Sequence, residues 1–291
     1  MRYRLSPNGN FSKHLIRLVR SINDDIALSL IRACRDPESG IHEARKGCKE
    51  IRALLRLLKP NMERSEFSAR QAFYRDVSAR LSGNRDAMVR QKTWEHLVSG
   101  TTALQDKTAD TVARFLSSQA ELSPLNEKGR EYFLDLALEV ESESPVLGNW
   151  NRPESSSELL PNIKKIYQKA RNAEKQAEES DDTEQFHSFR KRTKDLYYCL
   201  RVLKPVLGKR VKPIVSDLKA VAETQGVAND HAVLLHYLGE HRQSLALDDT
   251  EWDQVNDLIR QKLRALQSAS HKKAKKILSE SPAVFIKRLQ N

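Results

Sequence analysis

The sequence predicts an all-α protein, and three observations carry that reading. Only 10 glycines and 10 prolines punctuate 291 residues, so long stretches run without a breaker. Apolar residues recur at three- and four-residue intervals through those stretches, the spacing of one helix face. A 20-residue segment with that periodicity also occurs twice. IHEARKGCKEIRALLRLLKP (41–60) returns as FHSFRKRTKDLYYCLRVLKP (186–205), which marks a duplicated supersecondary unit.

The elements follow in order. A first helix is expected over about 10–33, ending near Asp36-Pro37. The second spans about 39–58, with Ser39 as N-cap and Pro60 as its stop. Others cover about 63–81, 85–98, 102–120 and 127–143, with a break at Ser82-Gly83-Asn84. Residues 145–153, rich in breakers, read as a linker. Beyond it, helices are expected over about 158–179 and 183–203, the latter stopped by Pro205. Then come about 209–225, 229–239, 249–269, 271–280 and a short tail, 282–290. Arg85-Asp86-Ala87-Met88-Val89 is echoed by Asn229-Asp230-His231-Ala232-Val233, a second sign of duplication. The domain reading is one domain over 8–290, made of bundles 8–144 and 154–290.

The repeated segment carries the functional signal. Its copies share nine residues, and six of the nine are basic, so core packing alone does not account for them. On a helix at about 100° per residue, His42, Arg45, Lys46, Lys49, Arg52 and Arg56 fall on one face. His187, Arg190, Lys191, Lys194 and Arg201 take the matching places in the second copy. Like charges one turn apart each cost some tenths of a kcal/mol. Glu50 and Asp195 read as lying beside the stripes rather than in them. A row of uncompensated cations persists most simply where a polyanion neutralises it, against the plainer alternative of a solvated charged face.

Charge and composition narrow the class. Net charge is +11, and it is uneven: residues 1–100 carry 20 basic and 11 acidic side chains, residues 101–150 carry 4 and 9. Such a field steers an anion towards one region. Cys34, Cys48 and Cys199 form no metal-type cluster and read as small apolar fillers in a reducing compartment. No apolar run approaches a membrane span, and the N-terminus lacks a signal-peptide core. The expectation is a cytoplasmic protein.

On these residues the chain resembles the CHAD family, the conserved histidine α-helical domain. His42-Arg45-Lys46-Lys49 and His187-Arg190-Lys191-Lys194 fit its basic motif, one in each half. Ile166 to Arg171 is similar to the family's Tyr-basic helix before the second motif. The segments 81–86 and 225–230 resemble its Leu-Gly-x-x-x-Asp turns in degraded form, and 281–289 its ending. The resemblance spans about 8–290. It implies two pseudo-two-fold-related helical bundles around a central basic channel. It also implies non-catalytic binding of inorganic polyphosphate, with no cofactor and no metal, and allows association with polyphosphate granules. Tyr197 stands where the first copy has Arg52, and Asn229 where it has Arg85, so the half-sites are unequal. No fused triphosphatase domain is expected from residues 1–9.

The binding set read this way is His42, Arg45, Lys46, Lys49, Arg52, Arg56, His187, Arg190, Lys191, Lys194 and Arg201. Arg17, Arg20, Arg85, Lys165 and Lys169 are further candidates. Arg grips two phosphate oxygens at once and Lys acts as a compact charge. Basic residues one turn apart, about 5.4 Å along the axis, match consecutive phosphates. A nucleic-acid binder is the first rival. Aromatics make up only 6% of the chain, and the first basic stripe carries none to stack bases. A metal-dependent phosphohydrolase is the second. His231, His236 and His241 are five residues apart, which spreads them around a helix and suits surface positions better than a metal site. Glu139 to Glu143 reads as a solvated helix end. Trp94, Trp150 and Trp252 read as packing residues. Membrane partners are not expected, and the sequence leaves the oligomeric state open.

Overall fold

The computed structural model describes residues 5–6, 9–81, 84–101, 104–121, 129–180 and 182–290. All regular structure among them is helical. The helices are α1 (Phe11–Ala33), α2 (Pro37–Leu58), α3 (Arg64–Arg80), α4 (Asn84–Val98), α5 (Asp106–Glu121) and α6 (Arg130–Ser142). They continue as α7 (Leu160–Glu178), α8 (Thr183–Leu207), α9 (Val211–Glu240), α10 (Asp249–Leu278) and α11 (Pro282–Gln290). Short 3-10 turns at 59–61, 156–159 and 242–244 punctuate the chain.

Several boundaries differ from expectation for local reasons. Asp36, not Ser39, caps α2; its side chain accepts from Ser39 N, and Pro37 occupies the first turn. Pro205 lies inside α8, two residues before its end. There the ring removes one hydrogen bond from a final turn, and Gly208, at φ 80°, ends the helix instead. The expected break at 225–229 is absent. Gln225 and Ala228 are fully buried, and one glycine between them costs only about 1 kcal/mol of helix propensity, so α9 runs through. Ser270 is likewise buried, and α10 is continuous.

The chain forms two compact units. The larger comprises Met1–Leu81, Lys128–Ala222 and Ala274–Asn291; the smaller comprises Ser82–Glu127 and Glu223–Lys273. Each draws on both halves of the chain, so the units do not follow the expected 8–144 and 154–290 division. The cause is that equivalent segments pack on each other. In the larger unit α2 lies against α8. In the smaller, Trp94, Val112 and Leu116 share a core with Leu234, Leu238, Val255 and Ile259.

In the larger unit α1 and α2 form a tight helical hairpin. A Cβ on Gly40 would stand 2.5 Å from the Ala33 backbone nitrogen, and one on Gly47 2.5 Å from Ile26 Cγ1. Backbone cannot yield as a side chain can. Gly40→Ala is therefore expected to destabilise the protein by about 2 kcal/mol despite the better helix propensity of alanine, as in other overpacked cores; urea unfolding reads this directly. Buried Asn23 fastens α1 to two neighbours: it donates to Val140 O at 2.8 Å and accepts from Tyr74 Oη at 2.7 Å. The segment 145–153 is anchored rather than free. Arg20 donates to Leu147 O and Pro145 O, and Asn151 N to Asn61 O.

In the smaller unit Trp94 is fully buried and donates to Ala109 O at 3.1 Å. The histidines of α9 do not all decorate a surface. His236 pairs with Glu240 in solvent, but His231 is 4% exposed and its Nδ1 lies 2.8 Å from Val227 O. Five-residue spacing moves each side chain by about 140°, so the three face different ways; His241, just past α9, packs against Phe115 and Tyr237.

Candidate anion-binding site

The two basic helices meet each other. Arg56 of α2 donates to Asp195 of α8 at 2.7 Å. Arg201 of α8 donates to Glu50 of α2 at 2.8 and 2.9 Å. Arg56 and Arg201 are equivalent residues of the repeat, and so are Glu50 and Asp195. The contact is reciprocal: each copy's arginine takes the other copy's carboxylate. Both carboxylates are buried. Between them the Cys199 thiol points to Ala53 O, and burial pushes that thiol well above its usual range. Cys48 is likewise buried, its thiol pushed up to about 12 by desolvation. Both are apolar fillers, as the sequence suggests.

This geometry corrects the picture of carboxylate-free stripes. Viewed on one helix, Glu50 and Asp195 lie off the basic row; across the interface they fill it. Arg201 is committed to Glu50. Burial opposes its charge, and Glu50 with the Tyr197 hydroxyl more than offsets that, holding its pKa above the ordinary value. Lys46 pairs with Glu43 at 2.9 Å on its own helix. Arg45 donates to Leu81 O, and Arg20 holds the 145–147 carbonyls, so these two have structural work. His42 is about half exposed, 3.7 Å from Glu43. His187 is exposed, while Lys49, Arg190 and Lys194 are half-buried, and Arg17 stands exposed on α1. The Arg85 side chain lies outside the described residues.

Cations from α2, α7, α8 and the turn after α2 meet at one end of the contact. A cavity of about 470 Å³ is lined by Arg56, Lys59, Lys165, Lys169 and Arg192, with Asp195, Asn162, Pro60, Ile166 and Phe67. Its walls come from the end of α2, the 3-10 turn after it, α7 and α8. Asn162 fixes two of them together, donating to Arg56 O at 2.8 Å, which also accepts from the Lys59 N–H, and to Leu57 O at 2.7 Å, in the last turn of α2. Lys59 Nζ stands 5.2 Å over the Phe67 ring. Arg192 lies 3.6 Å from Asp195.

Five cations and one acid therefore line the cavity, and that acid, Asp195, already serves Arg56 and Arg192. Three neighbouring groups have shifted proton affinities, each chiefly through burial. Lys191 is shifted below the usual lysine range by burial, then by Arg192 and Arg56. Arg52 is lowered by burial, then by Arg56. Burial raises Asp195, against the pull of Arg56 and Arg192. Crowded positive charge of this kind is relieved by an anion.

Of the residues read from sequence, Arg56, Lys165 and Lys169 line the cavity, and Arg52 and Lys191 couple to it electrostatically. Lys59, Arg192 and Asn162 are lining residues that the sequence reading leaves out. Lys59 is one of the nine matched positions but lies past the expected helix end. Arg192 aligns with Gly47, so a comparison of copies discards it; the tight approach of Ile26 explains why the first copy cannot carry a side chain there. Two other features of the repeat neighbourhood are structural. Tyr167 donates to Ile277 O and Glu280 O, and Arg171 to Leu278 O. The acids at 139–143 are also engaged, Glu139 with Arg80 and Glu143 with Arg70, rather than simply solvated. Among the described residues no group of three or more His, Cys, Asp or Glu is placed to hold a metal ion, and no helix is long and apolar enough to cross a membrane.

A family model for the CHAD domain matches residues 24–239. Among solved structures, the fold is similar to that of the CHAD domain from the plant Ricinus communis, with a TM-score of 0.54 and 16% identity over 99% of this chain and 94% of that one. It is also similar to PptA from Streptomyces chartreusis, with a TM-score of 0.57 and 12% identity over 97% of this chain and all of that one. At these identities the likeness is one of fold. No curated protein matches the sequence.

Proposed function

We propose that this chain, which belongs to the CHAD domain family, binds inorganic polyphosphate at the cationic cavity of its larger unit and does no chemistry on it. The observation that carries the reading is that Arg56, Lys59, Lys165, Lys169 and Arg192 line one cavity whose single acid, Asp195, is already committed to Arg56 and Arg192. Polyphosphate offers a dense row of anionic oxygens and no bases. A site that holds it needs closely spaced donors, some forked and some point-like, which is the mixture present. A single-stranded nucleic acid would gain additionally from aromatic platforms. The one aromatic in the lining, Phe67, lies under the Lys59 ammonium.

The experiment is direct titration of defined-length polyphosphate, with single-stranded RNA as competitor. Five phosphate contacts, with the counterion release of a single strand, imply that affinity falls about 100-fold between 50 and 200 mM salt. RNA that displaces polyphosphate at equal phosphate concentration would transfer the assignment to nucleic acid. Phosphate release from the polymer would make the protein an enzyme.

A pH dependence follows if His42 and His187 join the site. Free imidazole titrates near 6.5, and a bound polyanion favours the protonated form, so its binding raises the folded pKa and takes up protons. Affinity is then expected to rise several-fold from pH 8 to pH 6. A flat profile would remove the two histidines from the site and leave the cavity cations as its sole basis.

A further inference from the structure

A second cavity, of about 470 Å³, lies wholly within the smaller unit between α4, α9 and α10. Its character is different from the first. Val89, Leu97 and Val227 give it apolar walls, and the exposed Lys92, His96 and Lys262 stand around it, with Asp230 the one acid in the lining. Into it faces His231, 4% exposed, whose Nε2 has no hydrogen-bond partner among the described residues. The other ring nitrogen, Nδ1, lies 2.8 Å from Val227 O. A carbonyl can only accept, so Nδ1 carries the hydrogen, and in the neutral ring the buried Nε2 is an acceptor. Burial, the larger influence, and Lys262 hold the ring towards its neutral form.

A buried acceptor without a donor costs about 1–3 kcal/mol. It is commonly retained where something else supplies the donor. The surrounding chemistry narrows what that is. The volume is that of a small-molecule pocket. The apolar walls exclude a bare phosphate as the natural occupant, and the cations at the mouth favour a negative end.

We propose that this cavity is a binding site for a small organic anion: a compact apolar or aromatic body with an N–H or O–H that donates to His231 Nε2, and a phosphate or carboxylate that reaches Lys92 and Lys262. A nucleoside monophosphate and a hydroxyaryl carboxylate share this chemistry, with a base N–H or a phenol as the donor. The site uses none of the residues assigned to polyphosphate.

The test uses the full chain and three probes: AMP, 4-hydroxybenzoate and inorganic phosphate, titrated by calorimetry and by imidazole nitrogen NMR. Saturable binding of AMP or 4-hydroxybenzoate is expected, with a shift of the His231 Nε2 resonance. Binding of AMP but not 4-hydroxybenzoate would place the ligand among nucleotides, and the converse among aryl acids. His231→Phe keeps a flat buried ring and is expected to weaken the bound probe about 10-fold through the lost hydrogen bond. Lys262→Glu changes an exposed residue and is expected to weaken it by a similar factor. Polyphosphate affinity is expected to stay unchanged in Lys262→Glu. Failure of both organic probes to bind at millimolar concentration would overturn the proposal. So would binding that ignores both substitutions, or inorganic phosphate binding as tightly as either organic probe.

Discussion

Lys165→Glu/Lys169→Glu is expected to weaken polyphosphate binding at least about 100-fold while leaving the unfolding midpoint within about 0.5 kcal/mol of the parent. Both lysines are exposed on α7 and line the cationic cavity. Each reversal removes one attraction and adds one repulsion. Charges about 4 Å apart in water interact by about 1 kcal/mol, so four altered interactions give about 3 to 4 kcal/mol. At 1.4 kcal/mol per tenfold, that exceeds 100-fold. The slope of log affinity against log salt should also become shallower by about 1.4, since two phosphate contacts are lost. Arg17→Glu on α1 is the matched control: exposed and equally basic, but outside the cavity lining, it is expected to weaken binding by less than about threefold. Equal losses in the two variants would mean that binding follows net charge and not the cavity.

The second large effect is on stability. Glu50→Ala is expected to cost about 3 kcal/mol. The carboxylate is 3% exposed and holds Arg201, itself 29% exposed, through two short contacts. Removing one member of such a pair leaves the other's charge poorly compensated, a loss of 3–5 kcal/mol for fully buried pairs; the partial exposure of Arg201 sets the lower end. By contrast, Glu43→Ala, which breaks the exposed pair with Lys46, is expected to cost less than about 1 kcal/mol. Asp195→Ala separates stability from binding. It should destabilise the free protein, because Arg56 and Arg192 lose their carboxylate, yet excess polyphosphate should restore more stability to this variant than to the parent. A ligand that binds only the folded state stabilises by RT ln(1 + [L]/Kd), and a phosphate oxygen can take the place of the missing carboxylate. The readout is urea unfolding with and without the polymer; identical ligand-induced shifts in parent and Asp195→Ala would place the polymer elsewhere.

The helical class and most element ends were legible because they depend on local spacing. Apolar residues at helical intervals and few breakers are enough to set α1, α2, α7 and α8 within a few residues. The misses were non-local. A proline two residues from a helix end and a glycine flanked by buried Gln225 and Ala228 both look like stops until packing is known. The two basic helices were legible as a pair because their basic residues recur in register. Which of those bases would be spent on structure was not. Arg45 and Arg20 go to backbone carbonyls of distant segments, and Arg56 and Arg201 to carboxylates of the other helix. No periodicity reports partners 36 to 151 residues away. Arg192 was hidden for the opposite reason: repetition was the signal, and Gly47 breaks the repetition where α1 passes too close for a side chain.

The exchanged carboxylates give the two copies a shared inheritance. Because Glu50 answers Arg201 and Asp195 answers Arg56, neither copy can change the sign of its own pair independently. A sign change at one position alone would leave a like-charge pair across the contact, whereas Arg52 and Tyr197 differ between the copies with both pairs intact. Duplication in this chain did not yield a spare helix free to specialise; it bound two lineages of sequence to a common electrostatic contract.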